Sequence, residues 1–143
     1  MGIEVPEAVL NETVLRHNFT NEGGVDGTYR LLKNIMGLWL VQQLRKSFLN
    51  KNSNGDYQQL VNLAAQAPAL RSLIDPDDIE FLRPSDMAAA IQNACRKSNQ
   101  PVPETEGQLV RCALESLALR YRQVLDSLEL ITGTRIEVVH IVG

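Results

Sequence analysis

The segment Phe19–Lys46 reads FTNEGGVDGTYRLLKNIMGLWLVQQLRK and contains the densest group of glycines and the only tryptophan of the chain. Three of its glycines lie between residues 23 and 27, around a Val-Asp pair. This composition is typical of a tight turn whose backbone favours glycine. Thr20 and Tyr29 flank the turn, so the segment predicts a hairpin of two short strands.

Apolar residues follow this turn with few breaks. They predict a helix from about Leu32 to Leu49. Because they cover most of the helix circumference, we expect its middle to be enclosed on nearly all sides. Gly37 within such a helix costs about 1 kcal/mol relative to Ala, which predicts the close approach of another backbone.

Asn34 and Gln42 interrupt the apolar segment. A spacing of eight places them about 80° apart around a helix of 3.6 residues per turn, so both can face one partly open groove. The pattern by itself favours structural amides at the rim of the helix, hydrogen-bonded to a neighbouring loop, because polar groups in such places are usually satisfied structurally.

The composition excludes several classes of protein. The chain has 143 residues and a formal net charge of −3, with scattered Lys and Arg, so we expect no nucleic-acid or anionic-membrane partner. No apolar run approaches the roughly 20 residues of a membrane span, and residues 1–9 lack the basic and apolar blocks of a signal peptide. We therefore expect a cytoplasmic chain that forms one domain or a large part of one.

Cys95 and Cys112 are too few and too widely spaced for a zinc site or a CxxC redox motif. Cys95 lies near the end of one predicted helix and Cys112 about two turns into the next. We expect them to face each other across a helical hairpin, within the roughly 7 Å between Cα atoms that a disulfide requires. A cytosolic location favours free thiols in the cell. His17 and His140 have no partner at ligand spacing, and we expect His140 to lie in or near the core.

Four acidic residues, Asp75, Asp77, Asp78 and Glu80, form a cluster that invites a metal-site interpretation. Their spacing fits no EF-hand loop, and the glycine that such a loop requires is absent. A solvated acidic turn is the favoured interpretation, and no metal site is predicted.

The remaining pattern predicts an α+β fold that is mostly helical, with a short N-terminal hairpin, about four helices and a C-terminal strand. Helix starts are predicted at Asp56, at Ser85-Asp86 and at a capping box formed by Thr105 with Gln108, and the last helix ends at Gly133. Ile136–Val142 is a nearly unbroken apolar run. Such a run predicts a strand covered on both faces of a mixed or parallel sheet.

Six motifs together resemble one known family. NFTNEGGVDGTYRLLKNIMGLWL occupies residues 18–40, and shorter motifs follow in order: Ala67-Pro68, LIDPDD at 73–78, QPVP at 100–103, ESLALRY at 115–121 and HIVG at 140–143. In these residues the chain resembles the C-terminal domain of the rhamnulokinases, which belong to the FGGY carbohydrate kinases. The likeness runs through nearly the whole chain without a large gap.

The resemblance implies a partial ribonuclease-H-like, actin-like ATPase lobe. It also implies an enzyme that transfers phosphate from ATP, with Mg²⁺, to the 1-hydroxyl of L-rhamnulose. In that family the residues matching Asn34 and Gln42 contact ATP. The family's catalytic Asp and phosphate-binding loops correspond to sequence outside residues 1–143, so no catalytic residue is predicted here.

We therefore expect a part of a C-terminal domain that is incomplete at both ends and inactive alone. Its uncovered strand and helix surfaces should make it self-associate. The alternative is a self-standing helical binding or assembly module without catalysis. A hydrolase finds no support, because no nucleophile is paired with a base.

Overall fold

The computed structural model describes residues 1–50 and 55–140. The described elements are, in chain order, β1 (Gly2–Val5), α1 (Glu12–Arg16), β2 (Thr20–Gly23), β3 (Tyr29–Leu32), α2 (Trp39–Leu49), α3 (Tyr57–Gln66), a 3₁₀ helix (Ile79–Phe81), α4 (Met87–Lys97) and α5 (Glu106–Thr132). The described residues thus contain five α-helices and one small antiparallel sheet, and the predicted α+β class is confirmed. None of these helices is long and apolar enough to cross a membrane.

The backbone divides into two compact units, Met1–Ile35 with Tyr121–Gly143, and Met36–Arg120. The first unit contains the sheet, in the order β1-β3-β2. β2 and β3 form the predicted hairpin, with Thr20 opposite Leu32 and Gly23 opposite Tyr29.

The hairpin turn has its two central residues at positive φ, Asp26 at 54° and Gly27 at 81°. Positive φ at both positions is the turn geometry that matches the twist of paired strands. The ends of the turn are joined by the Thr28 N–H, which donates to the Val25 carbonyl at 3.2 Å. The Asp-Gly pair therefore closes the hairpin locally.

The core of the first unit forms around the central strand. Leu31 is fully buried, and the end of α5 packs against it through Val124 and Leu128. The side-chain amide of Asn21 both accepts from the Val9 N–H and donates to the Val9 carbonyl, each at 3.0 Å. This pair of hydrogen bonds holds the segment after β1 against the hairpin.

The predicted helix Leu32–Leu49 is wrong over its first seven residues. Leu32 ends β3, an irregular connection follows, and α2 begins only at Trp39. The apolar run is divided because its first leucines belong to the sheet and the later ones to a helix. A Cβ added at Gly37 would meet nothing within 4 Å, so the close backbone approach predicted there is also absent.

α2 is buried on one face rather than on nearly all sides. Its buried residues are Leu40, Val41, Leu44, Ser47 and Phe48. Gln42, Lys46 and Leu49 are exposed. The spacing of the buried residues is that of an ordinary amphipathic helix.

The other helices of the second unit begin where their caps predict. The carboxylate of Asp56 accepts from the Gln59 N–H at 3.1 Å, and that of Asp86 accepts from the Ala88 N–H at 2.9 Å. Thr105 caps α5, because its hydroxyl accepts from the Gln108 N–H at 3.3 Å. Local hydrogen bonding therefore sets all three boundaries.

Near the start of α5, Gly107 lies so close to α3 that a Cβ there would collide with the carbonyl oxygen of Leu63. At the other end, Gly133 has a φ of +65° and donates to the Glu129 carbonyl at 2.9 Å, so it ends α5 as predicted.

The predicted strand Ile136–Val142 is not formed in its described part. Residues 133–140 have no regular structure, and 141–143 lie outside the described residues. Val138 and Val139 are 64% and 48% exposed, and His140 is exposed rather than in the core. A strand exists only by hydrogen bonding to a neighbour, and within the described residues no strand pairs with this segment.

Candidate functional site

Asn34 lies in the first unit, on the connection that follows β3, and its side chain is exposed. Its neighbours are both held in place. The Lys33 ammonium donates to the His17 carbonyl at 2.8 Å, and Ile35 packs against the core of the unit. Asn34 is thus presented to solvent from a well-anchored backbone.

Gln42 lies in the second unit, one turn into α2, and is also exposed. Its backbone N–H donates to the Leu38 carbonyl at 2.9 Å. Within the described ranges neither the Asn34 nor the Gln42 side chain has a hydrogen-bond partner, so both amides are available to a ligand. The interpretation of both residues as structural amides hydrogen-bonded to a neighbouring loop is therefore not supported in the described residues. The argument that placed both on one helix is wrong, because Asn34 precedes α2.

The start of α2 is tied to the acidic turn. The Met36 N–H donates to Oδ1 of Asp77 at 2.8 Å, and the Trp39 indole N–H donates to the Phe81 carbonyl at 3.3 Å. The other carboxylate oxygen of Asp77 accepts from Nε of Arg120 at 2.7 Å. Neither the Asp77–Met36 contact nor the Asp77–Arg120 ion pair was predicted, because the sequence contains no local signal that pairs residues so far apart.

The acidic residues of this turn work as caps and ion-pair partners. Asp75 accepts from the Asp77 N–H at 3.0 Å, and Asp78 caps the 3₁₀ helix by accepting from the Glu80 N–H at 2.9 Å. Glu80 pairs with Lys97, and the hydrogen bond between them raises the pKa of the Lys97 ammonium. No group of three metal-ligating side chains occurs among the described residues. Asp77 departs from the predicted solvated turn, because only 22% of its side chain is exposed.

Cys95 on α4 and Cys112 on α5 are both buried free thiols, close enough for each to influence the pKa of the other. The structure therefore brings together the two cysteines that the sequence predicted to be neighbours. Burial raises the pKa of both thiols, that of Cys112 to about 12. The formation of a disulfide between them stays a prediction.

A groove of about 700 Å³ lies within the first unit. It is bordered by β1, by the end of α5 and by the irregular segment that follows Gly133, with Ile3, Leu128 and Val138 among its lining residues. Its lining is mainly apolar, and it contains neither of the two candidate amides.

The comparison with protein families decides how these features are interpreted. The model of the C-terminal domain of the FGGY family of carbohydrate kinases matches residues 1–143. The chain belongs to this family. The resemblance found in the sequence motifs is thereby confirmed.

Individual relatives point in the same direction. The chain is 48% identical over all 143 residues to a protein named rhamnulokinase from Bacteroides thetaiotaomicron. It is 46% identical, again over its whole length, to rhamnulokinases from Yersinia pestis and Yersinia pseudotuberculosis. The chain spans 29% of the length of each of these relatives.

Proposed function

We propose that the protein carrying this chain is a sugar kinase that transfers the γ-phosphate of ATP to the 1-hydroxyl of L-rhamnulose, with Mg²⁺. The observation that carries the proposal is the family match over all 143 residues, together with 46–48% identity to rhamnulokinases. The chain would form part of a ribonuclease-H-like, actin-like lobe on the ATP side of the enzyme.

In this proposal Asn34 and Gln42 contact ATP. An amide side chain donates and accepts hydrogen bonds without adding charge, so it suits the neutral nucleoside part of ATP better than the phosphates. The exposure of both amides and their lack of partners in the described residues support this role.

The phosphate loops, the catalytic carboxylate and the Mg²⁺ ligands would come from the part of the kinase outside these 143 residues. Phosphoryl transfer depends on all three, and each such element is worth several kcal/mol of barrier lowering. We therefore propose that the 143-residue chain alone has no kinase activity. A coupled ADP-release assay with L-rhamnulose tests this, and sugar-dependent turnover by the purified chain would refute it.

The nucleotide contacts are tested in the complete kinase with Asn34→Ala and Gln42→Ala. Losing one hydrogen bond of about 1 kcal/mol should raise the KM for ATP about fivefold and leave the KM for L-rhamnulose nearly unchanged. Gln59→Ala is the matched control, because Gln59 is also an exposed glutamine on a helix of the second unit. An increase confined to the KM for the sugar would refute the assignment.

A further inference from the structure

We infer that Asp77 is a positioning residue for nucleotide binding, which holds the start of α2 and thereby Gln42 in place. The inference rests on the proposed contact between Gln42 and ATP. The inference gives a function to Asp77 in the acidic turn. Neither a metal site nor a solvated turn explains why this carboxylate is partly buried and bound to two distant residues.

The two carboxylate oxygens of Asp77 bind two different parts of the second unit. Oδ1 accepts from the backbone N–H of Met36 at 2.8 Å, and Oδ2 accepts from Nε of Arg120 at 2.7 Å. Both side chains of the ion pair are only 22% exposed. A partly buried, charge-assisted contact of this kind is stronger than an exposed one. Asp77 therefore links the segment before α2 to α5.

The start of α2 needs such a link because it has no cap of its own. Its N-cap residue, Leu38, offers no side-chain hydrogen bond, and its first turn contains no acidic residue. The first N–H groups of a helix have no partner within the helix, and at α3 and α4 an aspartate supplies one. At α2 the nearby hydrogen bonds go instead to residues 77–81: the Met36 N–H donates to Asp77, and the Trp39 indole N–H donates to the Phe81 carbonyl.

Gln42 lies within one turn of the second of these anchored residues, Trp39. It is three residues after Trp39, and its backbone N–H makes the first helical bond, to Leu38. A helix start released from Asp77 would shift or fray, and displacement of about 1 Å is sufficient to weaken an oriented contact substantially. Asp77 need not touch the nucleotide to affect its binding.

The test uses the complete kinase with Asp77→Asn, which removes the charge that pairs with Arg120 and so breaks the link from the start of α2 to α5. We expect the KM for ATP to rise about three- to fivefold, at most as much as in Gln42→Ala, with kcat and the KM for L-rhamnulose changed less than twofold. A purely structural role would instead lower the amount of active enzyme, which reduces apparent kcat and leaves both KM values unchanged. Glu80→Gln is the matched control, because it neutralises an exposed member of the same turn, and it should change none of these constants.

A double-mutant cycle shows whether Asp77 acts through Gln42. In a Gln42→Ala background, Asp77→Asn should raise the KM for ATP less than twofold, since coupled residues are not additive. Full additivity, or a normal KM for ATP in Asp77→Asn itself, would overturn the inference while leaving the proposed function intact. An unchanged KM for ATP in Gln42→Ala alone would refute the proposed contact and, with it, this inference. If Asp77→Asn does not fold, Arg120→Met, which removes the same ion pair, takes its place in the cycle, and the same KM split is expected.

Discussion

Arg111 on α5 should be the residue whose loss most weakens the end of α3. Its Nη1 donates to the carbonyl oxygens of Ala64, Ala65 and Ala67 at 3.1, 3.2 and 2.8 Å. These groups lie at or just beyond the C-terminus of α3, where carbonyls lack helical partners and a positive charge is favoured. Nε also donates to Glu115 at 2.8 Å, which fixes the orientation of the guanidinium.

The expected loss of stability follows from the number of hydrogen bonds that the Arg111 guanidinium can make. Nη1 carries two hydrogens, so at most two of the three carbonyl contacts are strong at once. Hydrogen bonds to a charged group are worth about 1.5–3 kcal/mol each. The Arg111 side chain is 25% exposed, and solvent would recover part of that value. We expect Arg111→Met, which retains the apolar stem, to cost about 2–3 kcal/mol of local stability.

Hydrogen exchange measured by mass spectrometry on the 143-residue chain tests this estimate. A loss of 2–3 kcal/mol should speed exchange of the α3 amides by about thirty- to one-hundred-and-fiftyfold, whereas the hairpin β2–β3 in the other unit serves as an internal reference. Arg122→Met is the control on the same helix, because its ion pair with Asp126 is highly exposed and should be worth less than about 1 kcal/mol. Equal exchange in the two variants would refute the capping role of Arg111.

Four further predictions follow from packing, burial and exposure. Gly107→Ala should destabilise the second unit by about 1–3 kcal/mol in urea denaturation, because the new Cβ collides with Leu63; an unchanged midpoint would contradict this. The pKa of the Cys112 thiol is raised in the folded state. Its contribution to the free energy of unfolding is therefore fully present below pH 9.0 and is lost as the pH rises from 9.0 towards about 12. Unfolding free energies of Cys112→Ala should therefore fall less steeply above pH 9.0 than those of the parent, and parallel curves would contradict the shift. Diamide should join Cys95 to Cys112 slowly, because buried neutral thiols react poorly, and the bond should add roughly 3 kcal/mol; an intact mass that retains both thiol hydrogens would contradict this. The chain should also self-associate at micromolar concentration through exposed residues such as Val138, and a clean monomer in sedimentation velocity would contradict that.

Boundaries set by neighbouring residues were determined by the sequence alone. Asp56 and Asp86 cap helices because their side chains reach N–H groups two or three residues ahead. The Asp26-Gly27 turn closes the hairpin because both residues tolerate positive φ. The family, too, was readable from the motifs, since a long uninterrupted segment such as residues 18–40 carries its own identity.

Apolar runs, in contrast, determined neither the type of element nor, in every case, the burial of their residues. The run around Gly37 contains part of a strand, an irregular connection and a helix, because Leu31 is required in the centre of the sheet. The run that contains Val138 and Val139 is apolar enough for a buried strand but is exposed here. A strand depends on hydrogen bonds from a neighbour, and composition does not reveal whether that neighbour is present.

The tertiary structure alone decided what the acidic turn does. In the sequence, Asp77 cannot be distinguished from the acidic residues beside it. In the structure its partners, Met36 and Arg120, are 41 and 43 residues away. Caps depend on distances of two or three residues, which the order of the chain specifies directly. A contact such as that of Asp77 depends on which distant segments the core brings together, and this is settled only when the chain folds.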